Sequence, residues 1–357
     1  MSQGSPKLFS IFGIDIELHW TFTALLLGIL YISIVGGDIF FFIIIVLLFA
    51  CVLVHELFHS ITAIRNGVKV SRIILLPIGG ISVIEDIRIN PVVEFNTAIV
   101  GPITSLALGG LFGILVLFTP PGLPTLISQD LFVINMLLGV FNILPAFPMD
   151  GGRVLRSYLQ RSRGLYASTM ITVKVTKYIL ALIVIVSVAY FILVQQSLFS
   201  LLIDMIVVFF LYGGMKAEEE NVTIKKEAEG ITLSDAVSNR YLLIDPGAKT
   251  NSLFPMIKKK GEYTTLTKID GRFFLVNIFG KTQQGSHRKV SELAVPIPNI
   301  PSNTDVADAL YKLEGSDYGV GAVVKGDKLI GITSTRYLRT MISLHIMSKK
   351  DGKAFKV

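Results

Sequence analysis

At positions 51–60 the chain reads CVLVHELFHS, which sets His55 and His59 one helical turn apart with Glu56 directly after the first histidine. Residues i and i+4 share a helix face, so two imidazoles at this spacing reach one tetrahedral ion while the glutamate accepts a proton from metal-bound water. So short a motif also arises by chance, as polar residues at a helix end. Its position argues otherwise: it closes a 16-residue apolar run, Ile39 to Val54, where an ionised group costs roughly 3 kcal/mol or more. A catalytic zinc takes three protein ligands and leaves one position open, so a third ligand must lie elsewhere. Cys51 is the only cysteine, which excludes a disulfide within the chain and a cysteine-based site. His19 opens the first apolar run, where an interfacial role suits it, and Asp204 lies within the last. Asp150 is the stronger candidate, because it sits in NILPAFPMDGGR, where Pro145 and Pro148 must break a helix and free backbone groups beside a cavity. A solvated helix terminus would account for the same local sequence.

Those residues need a scaffold, and the composition names its solvent. Of 357 residues 52% are hydrophobic and only 17% charged, a poor balance for a soluble chain of this length. A helix needs about 20 apolar residues to cross the hydrocarbon core. Six windows meet or approach that length: 18–35, 39–64, 95–118, 129–145, 178–194 and 198–214. The N-terminus lacks the charged region, short apolar core and small-residue cleavage site of a removable signal peptide, so the first run is expected to be retained. Lys7, the group Arg65, Lys69 and Arg72, the group Arg153, Arg156, Arg161 and Arg163, and Lys216 fall on one side of these spans. The opposite connections carry no Lys or Arg, which predicts that both termini are cytosolic. The second and fourth spans then both run inward, so the histidine motif and Asp150 approach the same side of the bilayer. Between spans two and three, the Ile-, Leu- and Val-rich stretch Val70 to Ile89, with Gly79 and Gly80 near its middle, predicts a β-hairpin at the cytosolic rim.

The text changes after Met215. Residues 1–215 hold 11 Lys/Arg against 10 Asp/Glu, whereas residues 216–357 hold 22 against 16. The expected division is a transmembrane domain at 1–215, a charged linker at 216–230 and a soluble α+β domain at 231–357, with two weakly similar halves near 231–290 and 291–346. The fold class is therefore an all-α polytopic membrane domain of six helices with a small hairpin, followed by that soluble domain.

HExxH in an early span, the segment Leu75 to Gly80 (LLPIGG), Gly101 to Ser105 (GPITS) and FNILPAFPMDGGR together resemble the site-2 proteases. The resemblance covers about residues 7–215. It implies that His55, His59 and Asp150 bind one zinc ion per chain, that Glu56 is the general base, and that Asn142 hydrogen-bonds the substrate carbonyl or a developing oxyanion. No PDZ-like insertion separates the spans, so the chain is similar to the compact, CBS-bearing branch. GDKLIGITSTRYL, starting at Gly326, resembles part of a CBS (cystathionine beta-synthase) domain. Such domains occur as pairs and often bind adenine nucleotides. Tyr337 stands where nucleotide-binding members commonly carry aspartate, and NIFGKTQQG in the first half also lacks it, which leaves a ligand-free, dimerising pair as an equal reading.

The expected activity is hydrolysis of peptide bonds in or near the membrane segments of single-span proteins, by a multi-pass protein of the cell membrane with no nucleic-acid partner. A helical substrate must unwind before attack, and strand addition to the hairpin would hold it extended. The alternative is a metal-ion or proton transporter that uses the same ionisable residues. Glu56 and the lack of a second, inverted half with a matching broken helix favour hydrolysis.

Overall fold

The computed structural model describes residues 6–77, 79–84, 90–194, 197–249, 264–277, 289–314, 316 and 318–350. The chain forms two compact units, Met1–Val222 and Thr223–Val357.

In the first unit, strands β1 (Lys7–Ile11) and β2 (Ile14–Leu18) lead into helix α1 (Trp20–Gly36). Helix α2 (Ile39–Arg65), strands β3 (Val70–Leu76) and β4 (Gly79–Ile84), and helices α3 (Pro91–Phe118), α4 (Leu123–Ile143), α5 (Asp150–Val194) and α6 (Leu198–Ala228) follow. Among the described residues five of these helices are long and apolar enough to cross a membrane. The first of the six expected spans, α1, has 17 residues and reaches about 25 Å against a hydrocarbon core of about 30 Å. The bundle is apolar outside and polar inside: Leu117, Phe118, Leu193 and Phe209 are exposed, whereas Ser105, Asn135, Thr172 and Thr176 are buried. That inversion suits a surface wetted by lipid, with small and polar residues at helix contacts.

Local chemistry sets the ends. His19 caps α1 by accepting from Thr21 N, which commits this histidine to a helix terminus. Gly37 takes the left-handed conformation that ends α1, and Asp38 caps α2 through Phe41 N. Pro91 opens α3 after Asn90, whose side chain accepts from Val92 N. Helix α5 begins directly at Asp150 and bends at Gly164, which has φ 74° and ψ 166°. The expected fifth span at 178–194 is thus the far end of a longer element.

The expected hairpin is β3 with β4, paired antiparallel; residues 78 and 85–89 of that segment lie outside the described residues. It belongs to a larger sheet of order β1-β2-β3-β4, in which β2 and β3 run parallel. Strands β1 and β2 were not expected from the sequence: each has five residues, and β2 abuts the first apolar run. Ile14, Ile16, Val70 and Ile73 on this sheet bury against Ala63 of α2, with Leu53 and Leu57 packed beside them. This cluster fixes the sheet to the helix that carries the histidine motif.

Residues 216–228, expected as linker, continue α6. Glu, Lys and Ala favour helix, and Lys225 and Lys226 in the last turn complement its dipole. In the second unit a sheet of order β5 (Tyr241–Ile244), β6 (Thr264–Ile269), β7 (Arg272–Val276) and β8 (Ala294–Pro296) stands with a sheet of β9 (Asn299–Pro301), β10 (Val320–Lys325) and β11 (Lys328–Ser334). The two halves share one pattern. β5 pairs parallel with β6 and β6 antiparallel with β7; likewise β9 pairs parallel with β10 and β10 antiparallel with β11. Helices α7 (Val306–Glu314) and α8 (Thr335–Lys350) cover the second half, and Leu233 joins Ile300, Leu313, Val323 and Leu338 of that half in one core. Tyr337 packs against that core. Most of NIFGKTQQG lies outside the described residues.

Candidate metal centre

Helix α2 delivers His55 and His59 from one face, both buried, and Asp150 meets them as the first residue of α5. His55 Nε2 and His59 Nε2 lie 3.0 Å apart, and each is 3.1 Å from Asp150 Oδ2. Asp150 reaches this depth because the backbone between α4 and α5 is satisfied inside the protein. Ala146 N donates to Leu144 O, Met149 N to Ala146 O, and Phe147 N to Thr176 Oγ1 of α5. Gly151 and Gly152 are required there: a Cβ on either would strike the carbonyls of Ile143 and Leu144 or the backbone of Ala146.

Helix α3 holds the imidazoles from behind. His59 Nδ1 donates to Thr97 O at 2.6 Å, and His55 Nδ1 lies 2.8 Å from Ser105 Oγ. Between these contacts is Gly101, whose missing side chain leaves room for both Nε2 atoms; a Cβ there would fall on them. Thr97, Gly101 and Ser105 are spaced i, i+4, i+8 and form one helix face. Small residues at helical spacing mark this face in the sequence, but the contacts themselves follow from how α2 crosses α3.

The donor set asks for a cation. A carbonyl accepts only, so the proton of neutral His59 sits on Nδ1 and its Nε2 presents a lone pair. That lone pair faces the Asp150 carboxylate, and the three groups offer ligand atoms within 4.8 Å of one another. Two imidazole nitrogens and one carboxylate oxygen, each imidazole anchored through its other nitrogen, are the ligand chemistry of a catalytic zinc site with its supporting hydrogen bonds. The Gly101 cradle and this set of facing acceptors fit the ion.

Glu56 and Asn142 line the same cavity of about 420 Å³ as His55, His59 and Asp150, with Gly80 and Ser82 of β4. Ser82 Oγ donates to Glu56 Oε2 at 3.2 Å. Asn142 uses one amide hydrogen on Leu138 O at 2.9 Å, which leaves its second for another acceptor. Asp204 is half-buried on α6, outside both the ligand group and the cavity lining.

Arg156, counted in the sequence as a loop cation, is buried. Its guanidinium bridges Glu94 of α3 and Glu218 of α6, the latter at 2.6 Å, and stacks over Phe147 with 5.0 Å to the ring centroid. This triad ties α3, α5 and α6 together, with Arg156 six residues beyond Asp150 on α5.

Residues 43–129 and 122–188 match the model of peptidase family M50. The chain is 34% identical over 350 residues to a zinc metalloprotease of Methanocaldococcus jannaschii, covering 96% of this chain and 97% of that protein. It is 25% identical over 331 residues to the putative zinc metalloprotease Rip3 of Mycobacterium tuberculosis, covering 86% and 81% respectively. Among solved structures, the site-2 protease from Methanocaldococcus jannaschii is 34% identical, spans 60% of this chain and 95% of that one, and has a TM-score of 0.44. A CBS domain of the bacterial CNNM/CorC family Mg²⁺ transporter aligns with 14% identity over 39% of this chain and 86% of that one, at a TM-score of 0.29. The chain belongs to peptidase family M50, the site-2 protease family. It is a zinc metalloendopeptidase of the membrane-embedded class, and the transporter alternative has no support from these relatives.

Proposed function

We propose that this protein hydrolyses peptide bonds in or near the transmembrane segments of single-span membrane proteins, with one zinc ion held by His55, His59 and Asp150 and with Glu56 as general base. The observation that carries the proposal is the convergence of three buried ligand atoms beside the carboxylate of Glu56 in one cavity. When bound, zinc supplies a Lewis acid that polarises a carbonyl and acidifies water.

The residues of the chain do the rest. Glu56 takes the proton of the attacking water and passes it to the departing amine, the work of a carboxylate within hydrogen-bond reach of both. The second amide hydrogen of Asn142 donates to the substrate carbonyl as negative charge gathers on its oxygen. Substrate must be extended to be cut. Strand β4 lies at the edge of the four-stranded sheet and lines the cavity through Gly79, Gly80 and Ser82, so a substrate segment that pairs along it presents its backbone beside Glu56.

The wider reading places residues 1–215 in the cell membrane as the catalytic domain, with both termini cytosolic and residues 231–357 as a cytosolic, CBS-like pair. That pair serves as a homodimerising module, with an adenine nucleotide as the ligand to test. Purified protein incubated with a panel of single-span membrane peptides, with and without chelator, tests the activity: cleavage that the chelator abolishes and zinc restores is expected. Metal transport across vesicles without cleavage of any peptide would refute it.

A further inference from the structure

Glu56 is a flexible side chain in an open cavity, and a base needs its own rotamer held by neighbours if it is to point at one place. Two serines provide that hold. Ser82 Oγ of β4 donates to Glu56 Oε2 at 3.2 Å. Ser60, one turn beyond Glu56 on α2 and buried, has its Oγ 3.0 Å from Ser82 Oγ. A hydroxyl has one hydrogen to give. With that of Ser82 committed to the carboxylate, the hydrogen between the serines comes from Ser60, and the chain of donation runs one way, from Ser60 through Ser82 to Glu56.

The sheet, not the cavity, sets the place of Ser82. Its partner across β3 and β4 is Ile73, whose partner in β2 is Ile16. Residues paired across strands share a face, and both isoleucines are fully buried in the cluster that holds the sheet on α2. The row Ile16, Ile73, Ser82 thus has two apolar members that fix the distance to α2 and one polar member at the cavity. Two residues back on the same face, a Cβ on Gly80 would stand 2.5 Å from Glu56 Cγ. Its absence is what lets the glutamate turn toward Ser82.

We propose that Ser82 is the positioning residue of the general base, holding Oε2 so that Oε1 is free for the proton in transit, and that Ser60 keeps Ser82 in its donating rotamer. The proposal rests on the assignment of Glu56 as base. Because Ser82 lies on the edge strand, the strand that seats the peptide also aims the base.

Ser82→Val and Ser82→Thr separate the hydrogen bond from volume, since the two side chains differ chiefly by the hydroxyl. Ser82→Ala and Ser82→Val should lower kcat roughly ten- to a hundredfold, the scale of a misplacement by about 1 Å, with KM within about twofold. Ser82→Thr should restore most of the rate, and Ser60→Ala should lose less than Ser82→Ala. Zinc per purified chain should equal wild type in all of them. Difference infrared spectra of the metal-free protein, each against its own Glu56→Gln counterpart, read the carboxylate without turnover. The Glu56 stretch should shift in Ser82→Val and stay in place in Ser82→Thr. Wild-type kcat and an unshifted band in Ser82→Val, with Glu56→Gln inactive, overturn the positioning role alone. Loss of zinc in Ser82→Ala also overturns it, in favour of a purely structural serine. Cleavage by Glu56→Gln overturns the assignment of the base, and the positioning role with it.

Discussion

Asp150 Oδ2 stands 3.1 Å from both His55 Nε2 and His59 Nε2 although 95 and 91 positions separate it from them in the chain. Two helices that meet only through tertiary packing therefore bring these three groups together, and the carboxylate carries their only negative charge. Asp150→Asn should weaken zinc binding and eliminate cleavage, because an amide offers the ion no charge. Asp204→Asn should do neither. Metal content per purified chain, measured for both variants beside wild type, checks this; full occupancy in Asp150→Asn with loss in Asp204→Asn would show that the wrong aspartate was assigned.

Gly101 provides a second, independent handle on the same centre. A methyl group at this position collides with both imidazoles, and the backbone of α3 cannot retreat without giving up the hydrogen bonds of the imidazoles with Thr97 O and Ser105 Oγ. Gly101→Ala should therefore lose zinc and activity together while the helical content, read by circular dichroism, stays at wild type. Zinc bound at wild-type affinity in this variant would mean that α3 does not back the ligands as described.

The triad of buried Arg156 and Glu94 with half-buried Glu218 is predicted to matter for stability rather than for chemistry. Removing one partner of a buried pair leaves an uncompensated charge, at a cost of about 3 kcal/mol or more, so Arg156→Ala should lower the thermal transition of the detergent-solubilised protein markedly. Arg156→Met combined with Glu94→Leu should recover much of that loss, since both buried charges are gone and Glu218 is partly exposed. An unchanged transition in Arg156→Ala would contradict the account of this network.

How much of this could be read from sequence differs by element. The long apolar runs betray α2 to α6 because lipid demands length and hydropathy, and His55, Glu56, His59 and Asp150 stand out because ionisable groups are costly beside such runs. Strands β1 and β2 escape notice, since five residues such as IDIEL alternate too briefly to compete with the apolar run that follows. Arg156 was misplaced for a different reason: counting positive charges assigns every arginine to the loops, and only the packing of α3, α5 and α6 shows which of them is buried. The contacts of Thr97 and Ser105 with the imidazoles depend on how α2 crosses α3, which no local pattern encodes. The helical course of residues 216–228 was legible in principle, from its helix-forming residues and its basic last turn, but its charge reads first as a linker.

Orientation is tested by single cysteines in a Cys51→Ser background. Glu229→Cys, just past α6, should react with a membrane-impermeant maleimide only after the cytosolic face is opened, whereas Ser197→Cys should react from outside, following the distribution of Lys and Arg. Labelling of Glu229→Cys from outside intact cells would reverse the predicted topology.

If zinc held by His55, His59 and Asp150 works with Glu56 to cut peptide bonds, Glu56→Gln isolates the base from the metal. The amide keeps the volume of the carboxylate but cannot accept the proton of water, and Glu56 is not among the three ligand residues. Cleavage of a single-span membrane peptide, measured together with zinc per chain, should therefore fall to background in Glu56→Gln while zinc stays at the wild-type level. Proteolysis near the wild-type rate in a variant that still holds its zinc would contradict the account.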